Sequence, residues 1–183
     1  MEGHLTVVAG PMFAGKTSEL SRLVTNLRRY GNLNPLVVYP SRDTRPSRSG
    51  LIAPHGSDSS EGILAEVVTN ATEILDLVER FSSRRVLVID EVMLFPLEEK
   101  EGPNLIQVVN QLLRKGWRVV VAGLDMDFRG QPFGVVPGLM ALAEATGGKI
   151  YNLTAVCEVC GATATMTQRM VNGQPAHYDD GSW

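Results

Sequence analysis

The sequence predicts an α/β fold built on a mostly parallel sheet with helices on both faces. Three observations carry that expectation. Short apolar runs alternate along the chain with stretches of helical periodicity, as right-handed strand–helix–strand crossovers require. The first run stops at the turn pair Gly10-Pro11. Gly10, Asp90 and Gly123 all fall at the ends of such runs, where parallel sheets bind their ligands.

The elements follow in order. Leu5–Ala9 is apolar and β-rich, a buried strand. Between Thr17 and Tyr30, Leu20, Leu23, Val24 and Leu27 keep helical spacing, and Gly31 stands where a helix C-cap belongs. Leu36–Tyr39 is a second strand. The stretch 40–62 is rich in Ser, Arg, Pro and Gly without periodicity, a loop of a length usually kept for function. Asn70-Ala71-Thr72-Glu73 opens a helix, with Asn70 as N-cap, Glu73 at N3, and Ile74, Leu75, Val78 and Phe81 toward the core.

Val86–Ile89 is a strand ending in two acids. Pro103 to Lys115 is helical through Leu105, Ile106, Val109, Leu112 and Leu113, with Gly116 as terminator. Trp117–Ala122 is a further strand, followed by the polar and aromatic loop Leu124–Phe133. Leu139–Ala145 is a short helix and Ile150–Leu153 a last strand. Beyond it the pattern turns to a cysteine knuckle and hairpin-like polar sequence. We therefore expect a nucleotide-binding domain over 1–150 and a small appendage over 151–183.

Composition narrows the function. A chain of 183 residues suits one domain and buries roughly 70% of its unfolded surface. The formal charge is −3 with both signs interspersed, unlike the basic stripe of a nucleic-acid-gripping protein. No apolar run approaches the roughly 18 residues of a membrane span, and the N-terminus lacks a signal-peptide pattern. A cytoplasmic location is the expectation. The two cysteines, Cys157 and Cys160, are spaced C-x-x-C. In a reducing compartment that spacing favours metal or redox chemistry over a structural disulfide.

Gly10-Pro11-Met12-Phe13-Ala14-Gly15-Lys16-Thr17 matches G-x-x-x-x-G-K-[ST] at every fixed position. Glycines let such a backbone curl so that its N–H groups converge on phosphate oxygens, and the helix that follows adds its positive dipole end. Lys16 is expected to reach the β- and γ-phosphates, and the Thr17 hydroxyl to ligate Mg²⁺. Asp90, at the end of an apolar strand, is placed to hold Mg²⁺ directly or through water. Glu91 then serves as general base toward an attacking hydroxyl.

With these residues in view, the chain resembles the type II thymidine kinase family. Gly10–Leu20 (GPMFAGKTSEL) is similar to the family's opening signature. So are Asp43-Thr44-Arg45, Ile89-Asp90-Glu91-Val92, the segment from Gly123 to Phe133, and Leu153–Cys157 with Cys160-Gly161 and Thr167-Gln168-Arg169. The resemblance implies a RecA-like phosphate-loop sheet flanked by helices, with a C-terminal zinc knuckle and a lasso that holds the base through backbone groups. It implies transfer of the γ-phosphoryl of ATP to the 5′-hydroxyl of thymidine or deoxyuridine, with Glu91 as base. Asp43 and Arg45 match residues near the metal and the transferring phosphate, where an arginine suits charge on the equatorial oxygens. Met12, Leu124, Phe128, Phe133 and Thr167 match positions lining the pyrimidine pocket. A dimer or tetramer is implied as well.

Departures from the family are equally legible. After Glu91-Val92 the family usually has Gln-Phe-Phe, and here Met93-Leu94-Phe95 stand instead. Leu94 replaces an aromatic near sugar and base, and Met93 an amide, so a less discriminating pocket is expected. The second C-x-x-C or C-x-x-H pair and the lasso tyrosine are not found before Trp183. Either the sequence is shortened, the zinc is incomplete or lost, or His177 and an acid substitute as ligands. Two other functions remain open: a nucleic-acid-stimulated ATPase on the same type of core, and a catalytically weakened nucleotide-binding relative. Zinc needs four ligands, so metal analysis is expected to find less than one zinc per chain. A full equivalent would refute the incomplete site.

Overall fold

A computed structural model describes residues 3–44, 50–53 and 62–177. Its centre is a six-stranded sheet of β1 (His4–Ala9), β2 (Leu36–Pro40), β5 (Glu66–Val68), β6 (Val86–Ile89), β7 (Arg118–Gly123) and β8 (Lys149–Asn152). The spatial order is β5-β2-β6-β7-β1-β8, and every pairing is parallel. Four helices connect these strands: α1 (Lys16–Arg29), α2 (Ala71–Arg80), α3 (Leu105–Arg114) and α4 (Val136–Ala145). The sheet flanked by helices is the α/β architecture that the alternation predicts.

Strand periodicity divides the core in two. Leu5, Val7 and Ala9 of β1 join Leu87, Ile89, Val119 and Val121 in one apolar cluster, with Ile74, Leu112 and Leu139 of α2, α3 and α4. Val8, Val88, Val120 and Ala122 point the other way, onto Leu20 and Val24 of α1. The handedness rule explains the partition. The α1 crossover runs from β1 outward to β2, whereas the crossovers through α2, α3 and α4 run back across the sheet. Right-handed connections of opposite direction place their helices on opposite faces. The loops after β1 and β7 therefore diverge from neighbouring strands, leaving a crevice at the carboxyl edge.

Helix ends follow the sequence signals with instructive exceptions. The Asn70 side chain caps α2 by accepting the Glu73 N–H at 3.0 Å, while Glu73 reaches one residue further out to accept the Thr69 N–H. Asn104 and Gln107 form a full capping box at α3. Gly31 is not the left-handed residue after α1, since Asn32 takes that role with φ 49. Gly31 is small for another reason, because an added Cβ would stand 2.8 Å from the Leu27 carbonyl oxygen. Helix α4 begins at Val136, three residues before its predicted start, with Pro137 in its first turn.

The long stretch after β2 holds structure that periodicity did not reveal. β3 (Leu51–Ile52) and β4 (Ile63–Leu64) pair antiparallel, and Ile52 and Ile63 cover the α1 face of the sheet. β5 adds the edge strand beside β2. After β8, β9 (Ala155–Val156) pairs with β10 (Thr163–Ala164), and β11 (Met170–Val171) with β12 (Gln174–Pro175). Among the described residues none beyond Ala143 is buried, so this last segment has no core of its own. Among the described residues no helix is long and apolar enough to cross a membrane.

Leu112 is fully buried between α3 and the sheet. Leu112→Ala is expected to cost about 2–5 kcal/mol, read as a lower urea midpoint at an unchanged slope. An unaltered midpoint would contradict the packing described.

Candidate active site

The loop after β1 is drawn tight at both ends. Gly10 has φ 143, and a Cβ there would stand 2.4 Å from the Leu153 carbonyl oxygen. Leu153 in turn donates its N–H to the Ala9 carbonyl at 2.8 Å. Gly15, the N-cap of α1, is left-handed with φ 83, as is Phe13 with φ 62. Asparagine side chains cap α2 and α3, but Gly15 brings none, so the first turn of α1 presents its N–H groups without a side-chain cap. That is the arrangement an anion fits. Buried Lys16 donates from Nζ to the Pro11 carbonyl at 2.6 Å, and Ala14 N–H reaches the same oxygen at 3.4 Å.

The acidic end of β6 lies in the same region. Asp90 and Glu91 are 1% and 8% exposed, and the Glu91 N–H donates to Asp90 Oδ1 at 3.0 Å. Glu91 is left-handed, with φ 52 and ψ 41. A non-glycine residue held there costs on the order of 1–3 kcal/mol, and such strain gathers at functional sites. The single 3₁₀ turn Val92–Leu94 follows, with Leu94 N–H donating to the Glu91 carbonyl at 3.0 Å. Asp43 is also buried, in a turn where its N–H donates to the Pro40 carbonyl at 2.9 Å. Lys16, Thr17, Asp43, Glu91 and Leu94 line one cleft of about 930 Å³.

A second cavity of about 630 Å³ adjoins it, walled by Leu124, Met126, Phe128, Phe133, Met166 and Thr167. Met12, Phe13, Leu124 and Phe133 line both spaces. Asp127 organises the loop between β7 and α4. Its Oδ1 accepts the N–H groups of Arg129 and Gln131, each at 2.9 Å, and its Oδ2 accepts Arg129 Nε at 2.8 Å. Burial by itself raises the Asp127 carboxyl. The Gln131 N–H and the Arg129 guanidinium and N–H together outweigh that and hold it below the ordinary carboxylate range. Two guanidinium groups lie over the Phe128 ring, Arg129 at 5.8 Å and Arg169 at 5.5 Å.

The family described as thymidine kinase matches residues 3–179. The chain belongs to the thymidine kinase family. A thymidine kinase from Deinococcus radiodurans is 39% identical over 192 residues, spanning 97% of this chain and 81% of that protein. Another, from Coprothermobacter proteolyticus, is 40% identical over 181 residues, spanning 98% of this chain and 81% of its own length.

The structure brings most of the residues singled out from the sequence to these two spaces. Gly10, Pro11 and Ala14 shape the loop after β1, whereas Met12, Phe13, Gly15, Lys16 and Thr17 also face a cavity. Asp90 lies behind Glu91 and does not line the cleft. Leu94 lines the cleft beside Glu91 and is absent from the wall of the second cavity. Arg45 lies outside the described residues. Met93 is 5% exposed; it lines the cleft beside Leu94 and packs at the same time into the apolar cluster beneath, an environment that suits methionine.

Cys157 and Cys160 stand on the turn between β9 and β10, with Gly161 N–H donating to the Cys157 carbonyl at 2.9 Å. The N–H groups of Cys160 and Val159 and the Cys160 side chain hold the Cys157 thiol below its ordinary value. Thiolate-favouring geometry fits a metal ligand. Among the described residues, however, no third His, Cys, Asp or Glu joins the pair, and His177 stands apart from it. Sequence reasoning missed Met126, Asp127, Met166 and Arg169. The Asp-x-Arg-Gly spacing was the available sign of an aspartate folding its own loop.

Asp127→Asn is expected to destabilise the protein by about 1–3 kcal/mol at neutral pH, because buried donors lose a charged acceptor. The native value lies below the ordinary 3.8, so the carboxylate's stabilisation is full above that pH and fades as pH falls through the lowered native value. Urea melts at pH 7 and in acid should show the gap between wild type and variant closing. A gap unchanged by acid would contradict this account.

Proposed function

We propose that this kinase transfers the γ-phosphoryl of ATP to the 5′-hydroxyl of thymidine or deoxyuridine. One observation carries the reading: a cleft with Lys16 and Glu91 on its walls adjoins an aromatic and sulfur-lined cavity across a shared wall of Met12, Phe13, Leu124 and Phe133. Flat apolar surfaces suit a nucleobase, and the charged cleft suits a triphosphate. Both relatives are named thymidine kinase, which supports a nucleoside as the acceptor.

In this mechanism the triphosphate lies along the loop after β1 and the uncapped first turn of α1. Lys16 exchanges its hold on the Pro11 carbonyl for the phosphate oxygens. Glu91 takes the proton of the 5′-hydroxyl. The sugar oxygen then bonds to the γ-phosphorus while the bond from that phosphorus to the β-bridging oxygen breaks. ADP leaves with the electron pair, and the product is the nucleoside 5′-monophosphate. Left-handed strain at Glu91 fixes the carboxylate's direction before substrate arrives, which limits reorganisation during reaction. Thr17 and Asp43 put hard oxygen donors on the cleft wall that would hold Mg²⁺, which when bound would spread the charge of the phosphate oxygens, while Asp90, behind Glu91, would act on it only through water. By resemblance Arg45 serves the same end.

The nucleobase lies against Phe128, Leu124 and Phe133, with Thr167 above the loop after β1. Leu94 leaves the cleft wall beside Glu91 aliphatic, and a site without a polar partner there discriminates pyrimidines less sharply. A bound zinc would be a staple for a segment that buries no side chain among its described residues.

Incubation with labelled ATP, Mg²⁺ and a nucleoside panel, with and without single-stranded DNA, tests the assignment. Thymidine-dependent monophosphate is the expected product, and DNA-stimulated hydrolysis instead would overturn it. Glu91→Gln should lower turnover by about 10²–10⁴ while ATP affinity stays nearly intact. Loss of ATP binding in that variant would argue against Glu91 as base.

A further inference from the structure

One hydrogen bond joins the two halves of the site. Thr167 Oγ1 accepts the Met12 N–H at 2.9 Å, across 155 positions of sequence. Met12 lines both spaces, whereas Thr167 lines only the nucleobase cavity. The Met12 N–H belongs to the same peptide unit as the Pro11 carbonyl. That carbonyl oxygen is the one that accepts Lys16 Nζ at 2.6 Å and Ala14 N–H at 3.4 Å. A peptide unit is planar and turns as one body. Whatever sets the direction of its N–H therefore also sets the direction of the oxygen that holds Lys16.

Surroundings of Thr167 make it responsive to the cavity it lines. Among the described residues the segment after β8 buries no side chain, so its position depends on a few specific contacts. Near Thr167 these include the bond to Met12 and the stacking of Arg169 over Phe128. Both contacts border the nucleobase cavity. A base seated there packs against Phe128 and Thr167 together and holds this segment in place.

Resting on the functional reading above, we propose that Thr167 is a positioning residue that couples the two substrate sites through the Pro11–Met12 peptide. An occupied base cavity fixes Thr167, Thr167 fixes the peptide plane, and the plane presets Lys16 and the loop for the triphosphate. Binding of nucleoside and of ATP is then mutually reinforcing, and by linkage each tightens the other by the same factor.

The test is the affinity of a non-hydrolysable ATP analogue with Mg²⁺, measured with and without saturating thymidine, for the wild-type chain, Thr167→Val and Thr167→Ser. In the wild type, thymidine should tighten analogue binding about fivefold, the worth of one ordinary hydrogen bond. Valine keeps the shape but cannot accept, so the factor should fall to about one even if each separate affinity also changes. Serine keeps the acceptor and should restore the factor. A pocket wall without a coupling role would alter thymidine affinity and leave the factor unchanged. Should the valine variant fail to fold, Thr167→Ala gives the same readout. Full coupling in valine or alanine, or its loss in serine, overturns the inference. Wild-type turnover of thymidine without any coupling overturns it while leaving the kinase reading intact. A wild type that binds no nucleoside removes both.

Discussion

The approach of Gly10 to Leu153 governs the carboxyl edge of the sheet. No side chain fits between the Gly10 Cα and the Leu153 carbonyl, and the Gly10 φ of 143 is one that other residues rarely adopt. The end of β1 and the root of the C-terminal segment are thereby pressed into contact, with the Leu153 N–H closing the pair onto Ala9. Residues that follow each strand then begin from one point. Met12 and Thr167 meet because their chains start from that junction, and two cavities share a wall for the same reason.

Around this junction the fold separates rigidity from chemistry. Both faces of the sheet are sealed by apolar side chains, and every strand of the site ends in buried surroundings. The residues that line the cleft sit where the ladder stops. There the backbone departs from regular geometry at Gly10, Phe13, Gly15 and Glu91. Strain of that kind persists only when the surrounding structure over-determines it. At Glu91 the determinants are visible: its N–H is taken by Asp90, and its carbonyl closes the 3₁₀ turn onto Leu94.

Much of this was legible in the sequence because it was periodic. Alternating and helical spacing found the long strands and helices, and Asn70 marked the start of α2. The motif from Gly10 to Thr17 marked the loop that borders the cleft, and the acids after Val86–Ile89 marked Glu91 on its wall and Asp90 behind it. Strands of two or three residues are too short to show a period, so β3 lay hidden in the stretch 40–62 read as loop, and β4 and β5 just beyond it were not foreseen. Gly31 and Asn32 were confused because glycine serves close approach as well as left-handed turns. Asp127 escaped notice because its role is local hydrogen bonding inside an irregular loop. The Thr167 link was beyond reach of any one-dimensional pattern, since it depends on where two distant segments meet.

The lack of buried side chains after β8 among the described residues has an evolutionary consequence. Past Leu153, which still packs on the α1-side cluster, replacements in that segment remove few core contacts, so they leave the folding free energy of the sheet and helices almost unchanged. On the proposed reading, base preference can therefore drift through Ala164, Met166 or Met170 while the cleft beside Glu91 stays fixed by the packed body. Related enzymes can diversify their choice of nucleoside without first acquiring compensating stability.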